Sequence, residues 1–172
     1  HHEVGHQKHA WFIRTRRVVQ DVFRVIWNSM DIVSSMDGCC YIPKECDKLD
    51  TCWTHTDQGP HKKGLTCYQG FVSLTSNTER TLVVYEASHL LHEEYVKNKM
   101  VKSGDWHLID PIYLDTIAYS KKTLTVPAGS LVLWDSRIFH QNQYGLTNSE
   151  ERIVQYVCFL PKFNVTNSEA MY

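Results

Sequence analysis

No run of eighteen apolar residues occurs anywhere in the 172-residue chain, so no segment reads as a bilayer-spanning helix. A charge excess is also lacking: eighteen Lys and Arg stand against nineteen Asp and Glu, a formal balance of −1. That removes the electrostatic footprint of a protein that coats nucleic acid or a membrane surface, and argues against nucleic acid as a partner. No basic-then-apolar leader opens the chain, from which a cytoplasmic location is expected. The chain starts at His1 without a Met, as a processed, trimmed or partial sequence does. There are no internal repeats and no low-complexity tract. With 42 % hydrophobic and 22 % charged residues the composition is that of a globular protein, and the length fits one domain spanning residues 1–172.

The six cysteines lack the spacing of a zinc knuckle. Cys39, Cys40, Cys46 and Cys52 fall in one stretch with Pro43, Lys44, Asp47, Lys48 and Asp50, which reads as a polar loop. Cys-Cys-x5-Cys-x5-Cys contains no Cys-x-x-Cys pair. Free thiols are the default reading there, with a loop disulfide or a zinc site as alternatives. Asn164-Val165-Thr166 is a glycosylation sequon without a secretory context, and reads as chance.

What is present is a helix, then strands. Val18, Val19, Val22, Phe23, Ile26, Trp27 and Met30 recur at three- and four-residue steps, which predicts an amphipathic helix. A short strand is expected over Asp31 to Met36. From Thr66 the pattern turns to β, with strands expected at 66–75, 81–86, 123–126, 130–134 and 152–160. A second helical patch covers about 92–102, with Gly104 as a stop. One helix followed by many short strands points to a sandwich or a jelly roll rather than an alternating βαβ sheet.

Ten histidines are the unusual entry in the composition. His55-Thr56-Asp57 places an imidazole and a carboxylate on the same side of an extended chain, because strand side chains alternate with period two. Alone the pair is a weak signal. It gains weight from His140, just beyond the expected strand at 130–134, and from Arg152 at the head of an apolar strand twelve residues later. Two His and one carboxylate form a facial triad that leaves three positions open on Fe(II), room for a bidentate 2-oxo acid and O2. A strand Arg can then meet the far carboxylate of that acid through a bidentate, charge-assisted pair. Taken singly, His140 reads as a hydrogen-bonded surface His and Arg152 as a strand-end residue reaching solvent. Together, in this order, they favour a metal site. His92 and His107 read as part of a polar insert, and His61 as part of a solvated loop beside Lys62-Lys63.

The text around these residues resembles the Fe(II)/2-oxoglutarate dioxygenases of the phytanoyl-CoA dioxygenase (PhyH)-like superfamily. The segments that carry the resemblance are Trp53 to Gln58, Gln69 to Leu74, Leu82 to His89, Pro127 to Arg137 and His140-Gln141-Asn142. It covers most of the chain, about residues 10–161. Two departures are visible: Glu79-Arg80-Thr81 replaces a glycine-rich turn, and the lid-forming stretch between His89 and Thr123 is short. The resemblance implies a mainly β fold, a double-stranded β-helix (a cupin-like jelly roll) with an N-terminal helix and a short helical insert. It implies that His55, Asp57 and His140 hold Fe(II), and that Arg152 pairs with the distal carboxylate of 2-oxoglutarate, aided by Gln69 or Asn142. It further implies hydroxylation of an unactivated C–H bond in a small organic substrate, with O2 consumed and succinate and CO2 released. Asp57 favours hydroxylation over halogenation, since a halogenase has a small residue in place of that carboxylate. Trp53, Trp134 and Gln141 flank the ligands and either shape a substrate mouth or belong to the core. Arg137 either binds an anionic substrate or pairs with Asp135. Two other readings keep the same fold: a metal-binding cupin that uses no oxo acid, and a non-catalytic binding module.

Overall fold

The computed structural model describes residues 3–97 and 104–163. It is mainly β, with antiparallel sheets and a few helices. Two helices lead: α1 (Lys8–Arg14) and α2 (Arg17–Trp27). The expected amphipathic helix is α2, and it stops at Asn28, whose left-handed backbone (φ 47°) caps it before Met30. Asn tolerates that conformation because its short amide bonds locally. The apolar face is wider than what is buried. Val19 and Phe23 pack inward while Val18, Val25 and Ile26 stay exposed.

The strands follow as β1 (Ile32–Ser34), β2 (Cys39–Ile42), β3 (His55–Thr56), β4 (Tyr68–Ser73) and β5 (Leu82–Tyr85). After α3 (His92–Val96) come β6 (His107–Leu108), α4 (Pro111–Thr116), β7 (Lys121–Thr123), β8 (Leu131–Asp135), β9 (His140–Asn142), β10 (Arg152–Tyr156) and β11 (Phe159–Pro161). One sheet runs β2-β10-β4-β8 and a second runs β6-β3-β9-β5-β7, while β1 and β11 pair separately. Every pairing is antiparallel.

Alternation along the strands explains the layering. Phe71, Trp134 and Val154 of the first sheet meet Leu82 and Val84 of the second in one apolar cluster. The other face of the first sheet, through Val72, Leu131, Leu133 and Val157, receives Ile13, Val19 and Phe23 from the leading helices. Tyr85 and Phe139, on the outer side of the second sheet, pack against Tyr95, Val96, Leu114 and Ile117. The space between the sheets is therefore bounded by strands on both sides, and its polar residues stand out.

Several expectations change in detail. The cysteine-bearing stretch is not all loop: Cys39–Ile42 is a strand, paired with β10 from Arg152↔Ile42 to Gln155↔Cys39. The strand expected at 123–126 lies earlier, at β7, and Val126 makes only an isolated bridge with Asn77. The single strand expected at 152–160 is two. At Cys158, one residue after the last backbone bond to β4, the chain turns to β1, with the Cys158 carbonyl accepting from Ser35 N at 3.1 Å. The second helical patch is α3 over its first five residues, and the stretch 98–102 lies outside the described residues, as does the Asn164 sequon. The helix α4 was not expected, although Asp110 caps it, accepting from Ile112 N, and Pro111 occupies its first turn. No helix among the described residues is long and apolar enough to cross a membrane.

Candidate metal centre

The His-x-Asp segment sits where β3 crosses between β6 and β9. His55 is the register partner of His140, so the sheet sets two distant histidines side by side. Their rings are 4.4 Å apart. Asp57 follows β3 and is held by its backbone N–H, which donates to Ser136 O at 2.9 Å, while Thr56 Oγ1 donates to the same carbonyl at 2.9 Å. His55 Nε2 then lies 3.4 Å from Asp57 Oδ1, and His140 Nε2 lies 3.2 Å from Asp57 Oδ2. One ligand atom from each residue falls within 4.8 Å of the others, so the three can hold a metal ion.

The tautomers support that use. His140 Nδ1 faces Ile138 O at 2.9 Å and His55 Nδ1 faces Trp53 O at 3.2 Å. A carbonyl only accepts, so each Nδ1 carries its proton and each Nε2 offers a lone pair in the neutral ring. Two lone pairs and a carboxylate converge at one point, an arrangement that requires a cation, either protons or a metal. Burial alone would raise the Asp57 pKa, but where protons are the cation the Nε2–H groups of His140 and His55 donate to the carboxylate and hold it well below the usual range. Asp57 is thus an anion poised for a cation. Trp134 Nε1 points at Asp57 Oδ2 from 3.4 Å.

Aromatic rings wall the group. Trp53 stacks on His55 at 5.0 Å, Trp134 lies 5.2 Å from His140, and Trp106 lies 5.3 Å from His55. Trp106, from the segment before β6, was not singled out in the sequence, because only the β3–β6 pairing brings it here.

Arg152 lies on the inward face of β10, with Val154 and Tyr156. It is 1 % exposed, which excludes the reading of a strand-end residue reaching solvent. Its guanidinium stands over the Phe71 ring at 5.3 Å, and Nη1 reaches Cys40 Sγ at 3.5 Å. Nη2 is buried and has no hydrogen-bond partner among the described residues. A buried guanidinium with an unfilled nitrogen is costly unless an anion completes it. Asn142 Nδ2 donates to Tyr156 Oη at 2.9 Å, and Asn142 Oδ1 is likewise buried without a described partner. Burial pushes the Tyr156 hydroxyl's pKa up and the nearby Arg152 charge opposes that rise, so Asn142, Tyr156 and Arg152 form one inward polar row. Tyr156 escaped the sequence reading, although it lies four residues beyond Arg152 on the same strand face. A cavity of about 430 Å3 opens beside this row, lined in part by Cys40, Ile42, Trp53, Asn142 and Tyr144. It therefore touches a residue stacked on the metal group and a residue bonded to Arg152.

The other singled-out residues are placed as follows. Gln69 is half-buried on β4, in register with Trp134. Gln141 points away from His140, as strand alternation requires. Its Oε1 accepts from Thr54 Oγ1 at 2.7 Å and Trp53 N at 3.2 Å, and its Nε2 donates to Thr51 O at 3.2 Å. It fastens the segment ahead of β3. Arg137 grips Asp135 through two bonds of 2.9 and 2.6 Å. His92 is fully buried and bonds Gln58 O at 2.9 Å, so it belongs to the core and not to a polar surface insert.

No family model matches the chain. Among curated proteins it is similar to the "Ava biosynthesis cluster protein O" of Aspergillus versicolor, with 29 % identity over 174 residues. That alignment covers 92 % of the chain and 56 % of the relative, so the chain spans little more than half the length of the protein it matches.

Proposed function

We propose that the chain is an Fe(II)- and 2-oxoglutarate-dependent dioxygenase built on a double-stranded β-helix, and that it hydroxylates a small organic substrate as a tailoring step in a biosynthetic sequence. The observation that carries the reading is the unfilled guanidinium nitrogen of Arg152, buried beside the cavity that Trp53 of the metal group also lines. The name of the relative, which places it in a biosynthesis cluster, supports the tailoring role.

His55 Nε2, His140 Nε2 and an Asp57 oxygen would hold the iron, a donor set of two imidazoles and one carboxylate that suits non-haem Fe(II) and leaves positions free. Arg152 would take the distal carboxylate of 2-oxoglutarate, with Asn142 and Tyr156 beside it and Gln69 on the flanking strand. When bound, iron with 2-oxoglutarate and O2 supplies the oxidising power that converts a C–H bond to an alcohol, with succinate and CO2 released. The residues of the chain supply placement. Trp53 O and Ile138 O fix the imidazole tautomers, Ser136 O anchors the Asp57 backbone, and Trp53, Trp106 and Trp134 limit water around the ligands. Action on a small molecule agrees with the near-neutral charge.

The test is succinate formation by the purified chain given Fe(II), 2-oxoglutarate and air. Uncoupled succinate release that stops without O2 or iron is expected even before the substrate is known. A folded, iron-loaded protein that releases none, alone or with candidate substrates screened by a mass gain of one oxygen, contradicts the reading.

A further inference from the structure

Away from the metal group, two nucleophilic side chains touch. Cys67 Sγ and Cys158 Sγ are 3.2 Å apart, the one sulfur–sulfur contact among the described residues. Cys67 precedes β4 and is half-buried, whereas Cys158 follows β10 and is buried. The pairing of β4 with β10 extends past its last ladder partners, with Val157 N donating to Gly70 O at 2.9 Å, and this brings the two together. Cys158 Sγ also donates to Tyr68 O at 3.2 Å, which aims it along β4 toward Cys67. A disulfide bond is about 2.05 Å long, so closure asks for a movement of little more than ~1 Å between sulfurs already in contact.

We infer that Cys67 and Cys158 are a site of reversible oxidation to an intramolecular disulfide, with a low-molecular-weight disulfide such as oxidised glutathione as the oxidant. The more accessible sulfur, Cys67, attacks as the thiolate. The glutathione S–S bond breaks, one glutathione leaves as a thiol, and the other stays bonded to Cys67. Cys158 then attacks Cys67 Sγ, the protein S–S bond forms, and the second glutathione leaves. Two cysteine thiols lose two electrons and two protons, and one glutathione disulfide gains them to become two thiols.

The bond has a route to the metal group. Cys67 O accepts from Ser136 N at 2.9 Å, and Ser136 O in turn accepts from Asp57 N and Thr56 Oγ1. Oxidation ties the exit of β10 to the strand end that sets Asp57. It also closes a long loop of chain, which stabilises the folded form by restricting the unfolded one.

The reduced protein, equilibrated in glutathione buffers of increasing oxidised fraction and trapped by alkylation, gives the test through peptide mapping. A cross-linked peptide containing Cys67 and Cys158, lighter by two hydrogens, is expected, together with a higher melting temperature than that of the reduced form. Cys67→Ser should remove both effects, and the map of the unaltered protein decides the matter even where that variant folds poorly. Alkylation of both cysteines at every glutathione ratio overturns the inference. So does glutathione left on Cys67 without a cross-link, or a cross-link confined to other cysteines.

Discussion

His55 and His140 are register partners on adjacent strands, with ring centroids 4.4 Å apart and Asp57 bridging their Nε2 atoms at 3.4 and 3.2 Å. Strand pairing, not a local loop, sets this relationship. The spacing is therefore as rigid as the sheet, which suits a site that must hold an ion in one geometry.

Asp57 supplies the negative charge of the group. Asp57→Ala should weaken divalent metal binding by more than about 100-fold, beyond what loss of an outer partner costs. Titration with Co(II), followed through its visible bands, measures this. Unchanged affinity in a folded variant would remove Asp57 from the ligand set.

Arg152 separates function from stability. Arg152→Met fills similar volume without a buried charge, so the melting temperature should hold or rise. Binding of 2-oxoglutarate to the metal-loaded protein should fall by about 100-fold, as expected for loss of a charge-assisted pair of roughly 3 kcal/mol. Calorimetry reads both quantities. Equal loss of fold and binding would make Arg152 merely structural.

Glu150 predicts an acid limit to stability. Burial would raise its pKa, but hydrogen bonds from Thr78 and Asn77 and the backbone N–H groups of Thr78 and Arg80 bring it down to about 2. Because the folded value is the lower one, this stabilisation is complete above the unfolded value near 4.5 and is lost as pH falls toward 2. Glu150→Gln should cost about 2 kcal/mol at neutral pH and flatten the acid limb of the stability profile. Denaturant melts at pH 7 and pH 3 give the comparison.

Gly70 marks where the first sheet is tightest. A Cβ there would lie 2.7 Å from Val132 O and 2.5 Å from Leu133 Cδ2. The leucine tip can move, but the carbonyl belongs to the β4–β8 ladder and cannot. Gly70→Ala should therefore destabilise by about 1–3 kcal/mol, measurable by urea unfolding.

The legible and the hidden parts of the molecule divide by range. His55 and Asp57 were readable because period-two alternation is local, and β5 and β8 because their apolar runs are continuous. The strand Cys39–Ile42 was hidden among charged and cysteine-rich neighbours, since an edge strand needs only one buried partner face. Trp106, Cys40 and Tyr156 reach the site through strand pairings that no local window contains. His92 reads from sequence as part of a polar insert, yet it is fully buried and bonds Gln58 O. Arg152 was legible as a ligand partner, while its burial and its unfilled nitrogen needed the fold.

The most direct measurement is anaerobic addition of Fe(II) and then 2-oxoglutarate to the folded protein, watching the visible spectrum. A weak charge-transfer band should appear only when both are present and should be lost in His140→Ala. A folded protein that binds Fe(II) yet shows no band with saturating 2-oxoglutarate would contradict the dioxygenase account.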